Sequence, residues 1–386
     1  MDDLAHATIE LGRGGDDGSR RSASVSIEFL SGLAQLDDLA TDLADLHRAT
    51  GAPVTARWPW LRAWVEAYKP EDPWAATVRD SRTGRLDAAV LLSTRAHDDR
   101  DEIMPLGRRQ LDRGFLPART ESAADALGAA VAARLSARSR PWVMRIGQLP
   151  AGDRVAAALA GQLDGCRTIA GQPIPKVDLG AADSAGDFLG KGLRKQLRKA
   201  RNRIADDGME LHIDFATGLG PVAVLLDEVE HTHRAREHHA RRVSDLESSP
   251  GLRFWRGVIL DHATRDEVEI ATLRLGDDLA AYVVSLLDGG AYRVLDGRFA
   301  PTWSRYSPGR LLETATLDRA VADPRYGEVD WMNGCASEKL LAANAVDLTE
   351  HLVAASPGMV IDLDVIGHAP VAVDLRTESN LASGAR

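Results

Sequence analysis

The sequence of 386 residues predicts an α/β (α+β) fold of two tandem halves. Each half is a mixed, mostly antiparallel sheet flanked by helices, and the C-terminal half bears the site. Three observations carry this. First, Gly276-Asp277-Asp278 and Asp288-Gly289-Gly290 divide the chain into three strand-length apolar runs, 267–275, 279–287 and 291–297, which read as a hairpin meander. A helical pattern over 310–322, a strand at 329–332 and a helix at 337–345 follow. Second, residues 75–163 repeat that order of paired strands, helix, strand and helix with negligible identity, as two copies of one supersecondary plan would. Third, the length favours two domains over one.

Taken in order, residues 1–24 carry Gly-Gly-Asp-Asp-Gly and Ser-Arg-Arg-Ser and predict a mobile lead-in. The N-terminal domain is placed at 25–172. It begins with a strand at 25–29 and a helix at 36–46. Trp58, Trp60, Leu61 and Trp64 surround a helix and are assigned to core packing. Strands at 75–79 and 86–93 form a hairpin across 80–85, with a third strand at 102–106. The Ala-rich 123–135 is a helix, 142–149 a strand and 154–163 a helix ending at Gly165.

The prolines and glycines of 172–185 predict a linker into a C-terminal domain at 173–386. Residues 191–203 hold seven basic residues and no acidic one. Leu193, Leu197, Ala200 and Ile204 recur at helical spacing, so this is an amphipathic basic helix. Either its charged face binds phosphates of a nucleic acid or anionic carrier, or it is simply solvated; the second is preferred. Met209, Leu211, Ile213 and Phe215 alternate as in a strand. Helices at 222–241 and around Leu252–Ile259 lead into the meander.

Composition narrows the function classes. Lys+Arg total 47 against Asp+Glu 57, so a net charge of −10 gives no global pull towards nucleic acid. Two cysteines are too few for a disulfide framework and fit a cytoplasmic location. No apolar run approaches the ~20 residues of a membrane span, and the acidic first residues do not read as a signal peptide. No G-x-S-x-G, P-loop, paired C-x-x-C or H-E-x-x-H motif occurs, which leaves hydrolase, NTPase and zinc-protease readings unsupported.

Among the constellations that could carry chemistry, Tyr306-Ser307-Pro308-Gly309 comes first. Ser307 is suited to an N-cap, Pro308 to the first helical position, and Gly309 leaves the backbone bare, so the helix start can receive a phosphate or pyrophosphate. Asp330, in a strand between Val329 and Trp331, needs a partner or a function. Asn333 and Gly334 end that strand, and Lys339 could meet a phosphate or carboxylate. Asp296 and Arg298 close the meander, where a carboxylate can act as general base or hold a substrate amine, or the two can form a turn salt bridge. His231, His233, His238 and His239 lie in HTHRAREHHARR, read as a solvated or substrate-facing helix rather than a metal site.

These residues together resemble the GNAT acyltransferase superfamily. More narrowly, they resemble the cellulose-biosynthesis-associated (CelD/BcsL-like) acetyltransferases, relatives of the Fem-type aminoacyl transferases. The basic stretch 193–203, Tyr306-Ser307-Pro308-Gly309-Arg310-Leu311-Leu312, and Asp330-Trp331-Met332-Asn333-Gly334 with Lys339 carry the likeness, which covers about 185–350 and extends loosely over the N-terminal half. Glu338 stands where that family often has Tyr, and Asn333 where it often has a basic residue. The resemblance implies N-acyl transfer from acyl-CoA to an amine of a small molecule or sugar, without a metal. It implies cosubstrate contacts at Ser307, Pro308, Gly309, Arg310, Asn333 and Lys339, and acceptor contacts at Arg298, Asp330 and Trp331. Asp296 is then the candidate base and Tyr306 the acid to the leaving thiolate. A charged tRNA as donor, or an interaction module without catalysis, are the alternatives.

Overall fold

The computed structural model describes residues 6–10, 24–107, 113–180, 182–332 and 343–359. In chain order they form β1 (His6–Glu10), β2 (Ser24–Ser31), α1 (Leu33–Asp38), α2 (Ala40–Thr50), α3 (Trp58–Tyr68), β3 (Asp72–Asp80), β4 (Leu86–Ala96), β5 (Asp101–Pro105), α4 (Glu121–Ser136), β6 (Trp142–Pro150), α5 (Arg154–Gln162) and β7 (Arg167–Ala170). There follow β8 (Ile174–Asp178), α6 (Lys191–Asp206), β9 (Leu211–Thr217), α7 (Leu219–His239), α8 (Ser249–Ala263), β10 (Val268–Leu275), β11 (Asp278–Asp288), β12 (Ala291–Phe299), α9 (Pro308–Ala322), β13 (Glu328–Asp330), β14 (Ala345–Asp347) and β15 (Thr349–Ala355). Two compact units result. One holds Met1–Gln172 together with the return segment from Leu348, the other Pro173–Asp347.

The first unit's sheet runs β1-β2-β3-β4-β5-β6-β15-β7. Its neighbours are antiparallel except for β5 and β6, which the crossover through α4 makes parallel. Thr120 caps α4 by accepting the Ala123 N–H at 3.1 Å. Gly128 lets α4 approach α5, since a Cβ there would stand 2.7 Å from that of Ala158. Trp58, Trp60, Leu61 and Trp64 are buried, as the core reading expects.

The second sheet runs β14-β8-β13-β12-β11-β10-β9, with β12 and β13 its parallel pair and α9 the crossover. Side chains alternate across β11. Val283 joins the core under α6 and α9, where Leu197, Ala200, Ile204, Leu311 and Leu312 are also buried, while Tyr282 points the other way, towards α7. The two units thus share one plan of meander, helix and parallel strand.

Several expectations need correction. The lead-in 1–24 contains β1, paired in register with β2. The helix read at 36–46 is two helices meeting at Leu39. The linker read at 172–185 contains β8, which sits between β13 and β14 and buries Ile174 and Val177 completely. The expected domain 173–386 loses β15 to the first sheet, where it lies between β6 and β7. Most of the helix read at 337–345 lies outside the described residues, and its last residue, Ala345, begins β14. No helix among the described residues is long and apolar enough to cross a membrane.

Candidate active site

The second unit's sheet opens at one place. β13 pairs with β12 only over Ala291–Arg293 and Glu328–Asp330, while β12 continues to Phe299 along β11. Asp330 helps set this divergence: its Oδ1 accepts the N–H of Met332 at 2.8 Å, and Met332 turns through φ 56°. Beyond Arg293 one edge of β12 has no strand beside it among the described residues. A register shift against β11 leaves Leu295 as an extra residue between Val294 and Asp296, a bulge that interrupts the ladder.

At the far end of that edge lies a cavity of about 480 Å³. Gly297, Arg298 and Phe299 of β12, Arg236 and Arg242 at the end of α7, and Ser304 with Ser307–Arg310 at the start of α9 line it. The first N–H groups of α9 have no intrahelical acceptor, so the positive end of the helix faces this space. Ser307 occupies the N-cap position but departs from the expected cap. It is left-handed, φ 51° and ψ 46°, and its side chain accepts no capping hydrogen bond. Gly309 lies against Phe299, whose ring a Cβ would meet at 3.4 Å.

The cavity is basic. Arg298 binds Glu237 at 2.7 Å and Asp296 at 2.7 Å; Arg242 binds Glu237 at 2.6 Å; Arg310 binds Glu313 at 2.7 Å. Arg236 has no carboxylate partner among the described residues and stacks 4.4 Å from the centroid of Phe299. Among the described residues, four guanidinium groups therefore meet three carboxylates, leaving one net positive charge beside the helix start.

One turn earlier on α7, His233 approaches the bulge. Its Nδ1 lies 3.1 Å from Asp296 Oδ2 and 3.1 Å from the Tyr282 hydroxyl, which itself donates to Asp296 at 2.5 Å. Burial pushes the Asp296 carboxyl up, but Arg298 and the hydrogen bonds from His233 and Tyr282 outweigh it and hold its pKa at about 2. That corrects the assignment of Asp296 as base: so weakly basic a carboxylate, already saturated with donors, is a poor acceptor for a proton at neutral pH. Burial and the adjacent Asp296 raise the Tyr282 phenol well above its ordinary value.

The other expected site residues are spread more widely. Tyr306 is buried and donates to Asp207 at 2.7 Å, a bond that raises its phenol. It fastens the end of α6 to the loop before α9 and does not line the cavity, which corrects its role as acid. Asp330 is completely buried and paired with Arg293, which also binds Asp288 at 2.7 Å, so its partner is structural. Trp331 packs with Val177, Tyr292, Leu317 and Val329 in the core. Asn333 and Lys339 lie outside the described residues. Of the four histidines, His231, His238 and His239 are exposed or nearly so, and only His233 turns inward. Composition gave no sign of its role. The spacing shows that His233, Arg236 and Glu237, at i, i+3 and i+4, share one helix face, but not what that face meets.

A parallel pair thus splays beside a bulged strand, with a basic cavity at the next helix start. Residues 191–339 match the acetyltransferase (GNAT) domain family, and this part of the chain is a GNAT-superfamily acetyltransferase domain. FemX shares the fold at 8% identity, with 80% of this chain and 95% of that one covered and a TM-score of 0.57. The C-terminal domain of a candidate lysylphosphatidylglycerol synthetase from Agrobacterium fabrum does so at 14% identity, 82% and 92% coverage and a TM-score of 0.51. A conserved protein of unknown function from Bacteroides thetaiotaomicron does so at 13% identity, 81% and 97% coverage and a TM-score of 0.51. At these identities the likeness is one of fold. No curated protein matches the chain.

Proposed function

We propose that the second unit is an acyl-CoA-dependent N-acyltransferase of the CelD/BcsL-like type, moving an acyl group, in the first instance acetyl, to an amine of a small molecule or sugar. The observation that carries this reading is the 480 Å³ cavity in which the α9 N-terminus meets Arg236, Arg242, Arg298 and Arg310. Main-chain donors, a helix dipole and an uncompensated guanidinium suit a diphosphate. The free edge of β12 offers main-chain groups to the amides of a pantetheine arm, in the manner of an added strand. From Phe299 back to the bulge at Leu295 is about 13 Å at the usual strand rise, a span an extended arm covers. A main-chain N–H freed by the bulge would stabilise the oxyanion as the amine attacks the thioester carbonyl. Holding the two reactants there supplies much of the rate by orientation alone.

Acetyl-CoA at one hundred times its dissociation constant should stabilise the protein by about 2.7 kcal/mol, read as a rise in melting temperature. Gly309→Glu places a carboxylate against Phe299 in the mouth of the cavity. It should abolish that rise while leaving the ligand-free melt unchanged. An undiminished rise in this variant removes the proposed diphosphate site.

A second reading, aminoacyl transfer from a charged tRNA, is favoured by α6. All seven of its cations are exposed and none has a carboxylate partner among the described residues. Retention of tRNA that falls steeply between 50 and 200 mM salt, with no response to acetyl-CoA, would select it over the first reading. A third, a GNAT-fold interaction module, predicts no response to either. The compartment we propose is the cytoplasm.

A further inference from the structure

Resting on the acyl-transfer reading, we propose that His233 Nε2 takes the proton from the acceptor ammonium, with Asp296 and Tyr282 as its positioning residues. The geometry fixes which nitrogen is available. Tyr282 gives its proton to Asp296 at 2.5 Å, so both oxygens that face Nδ1 present lone pairs to it. A lone pair on Nδ1 would oppose the carboxylate, and a proton there satisfies both contacts. Neutral His233 is therefore the Nδ1–H tautomer, and Nε2 carries the lone pair. Nε2 has no protein partner among the described residues, and the side chain keeps 11% exposure.

The surroundings hold the dyad in place. Asp296 is fastened on its other oxygen by Arg298, and Arg298 by Glu237, one turn further along α7. The other charges on neighbouring turns are Glu230, one turn back and paired with Arg234 and Arg256, Arg242 on Glu237, and Arg236, one turn on and stacked on Phe299. None of the carboxylates is left without a cation. The dyad stands beside the Leu295 bulge, about 13 Å of strand from the Phe299 end of the cavity. The phosphates and the proton acceptor thus sit at opposite ends of the same open edge.

The step balances without a further reagent. Nε2 receives one proton from R–NH3+, and the freed nitrogen pair attacks the thioester carbonyl. As the tetrahedral oxyanion collapses, the C–S bond breaks, the nitrogen gives its second proton to the departing thiolate, and Nε2 passes the first to water, leaving amide, thiol and one released proton. Asp296 does not take the proton; it stabilises the imidazolium that forms.

Two measurements on the full chain test this. The first is 15N NMR of the histidine rings between pH 5 and 9, without ligand. The expected result is that the neutral His233 ring carries its proton on Nδ1 and leaves Nε2 free, with loss of that tautomer preference in Asp296→Asn. A neutral ring with its proton on Nε2 overturns the inference. The second is CoA release from acetyl-CoA with hydroxylamine and with glucosamine, whose differing basicities separate deprotonation from attack. His233→Gln should slow release to glucosamine by about 10²–10⁴-fold, with the deficit shrinking as pH rises and the free amine forms in solution. Hydroxylamine, already neutral, should lose much less. Equal losses on both at every pH, or none, overturn the inference. His233→Gln should keep the acetyl-CoA melting shift. A wild-type chain with no such shift and no release sinks the transfer reading itself, and the base with it, whatever the NMR shows about the dyad.

Discussion

Ser307 shows how a residue type suited to one duty can serve in another geometry. Serine before a Pro-Gly helix start is a strong capping signal, yet this serine is left-handed and caps nothing. A left-handed conformation costs an L-residue roughly 1–2 kcal/mol, and glycine adopts it freely. Ser307→Gly should therefore stabilise the second unit by up to about 1 kcal/mol, read as a higher urea midpoint, where loss of a working cap would lower it. A lower midpoint would mean that the hydroxyl does cap the helix. The absence of a side-chain cap also leaves the first N–H groups of α9 facing the cavity. Asp330 is the complementary case. The sequence shows that a carboxylate between Val329 and Trp331 needs a partner, but it cannot show that Arg293, on a parallel strand, supplies it.

At the scale of elements, α5 begins on Asp153, whose Oδ1 accepts the Ala156 N–H at 2.9 Å. Burial pushes this carboxyl up to about 6 despite three backbone hydrogen bonds that act the other way. The sign follows from linkage. With its folded pKa above the ordinary 3.8, the group favours folding fully below pH 3.8, and that contribution is lost as pH rises through 6. Asparagine caps as well as aspartate and does not ionise. Asp153→Asn should thus raise the melting temperature of the first unit at pH 7 by a few degrees, with the gain vanishing by pH 4. Equal melts at pH 7 would refute this. The helices and the meander were legible because their signals are local: Gly-Asp-Asp and Asp-Gly-Gly turns, the Leu stripe of α6, the Ala-rich α4. β8 was not, because Pro173 and Pro175 resemble a linker until two strands are found to flank them. Of the site, the helix start at Ser307–Arg310 was legible from Pro and Gly alone. The pairing of His233 with Asp296 joins residues 63 positions apart, and only the packing of α7 on β12 brings them together.

At the scale of the whole molecule, the two sheets draw one strand each from an unexpected part of the chain. β8 follows β7 in sequence but lies in the second sheet; β15 follows β14 but lies in the first. Corresponding places, next to β13 and next to β6, are filled in this way. β15 is an interior strand, bonded to β6 over Thr349–Ala355 and to β7 over Glu350–Val353, with Leu352, Val353 and Ala354 fully buried. Ending the chain at Asp347 would strip the β6 edge, detach β7 and expose those contacts. Hydrogen exchange followed by mass spectrometry should then show β6 and β7 losing protection while β10–β12 keep theirs, since the second sheet retains every described strand. Unchanged protection of β6 would mean that the first sheet stands without β15. The same reasoning applies in reverse to a chain begun at Gly180, which lacks β8. There β13 loses the partner that Val329 and Val177 now share in its core, and exchange should rise in β13.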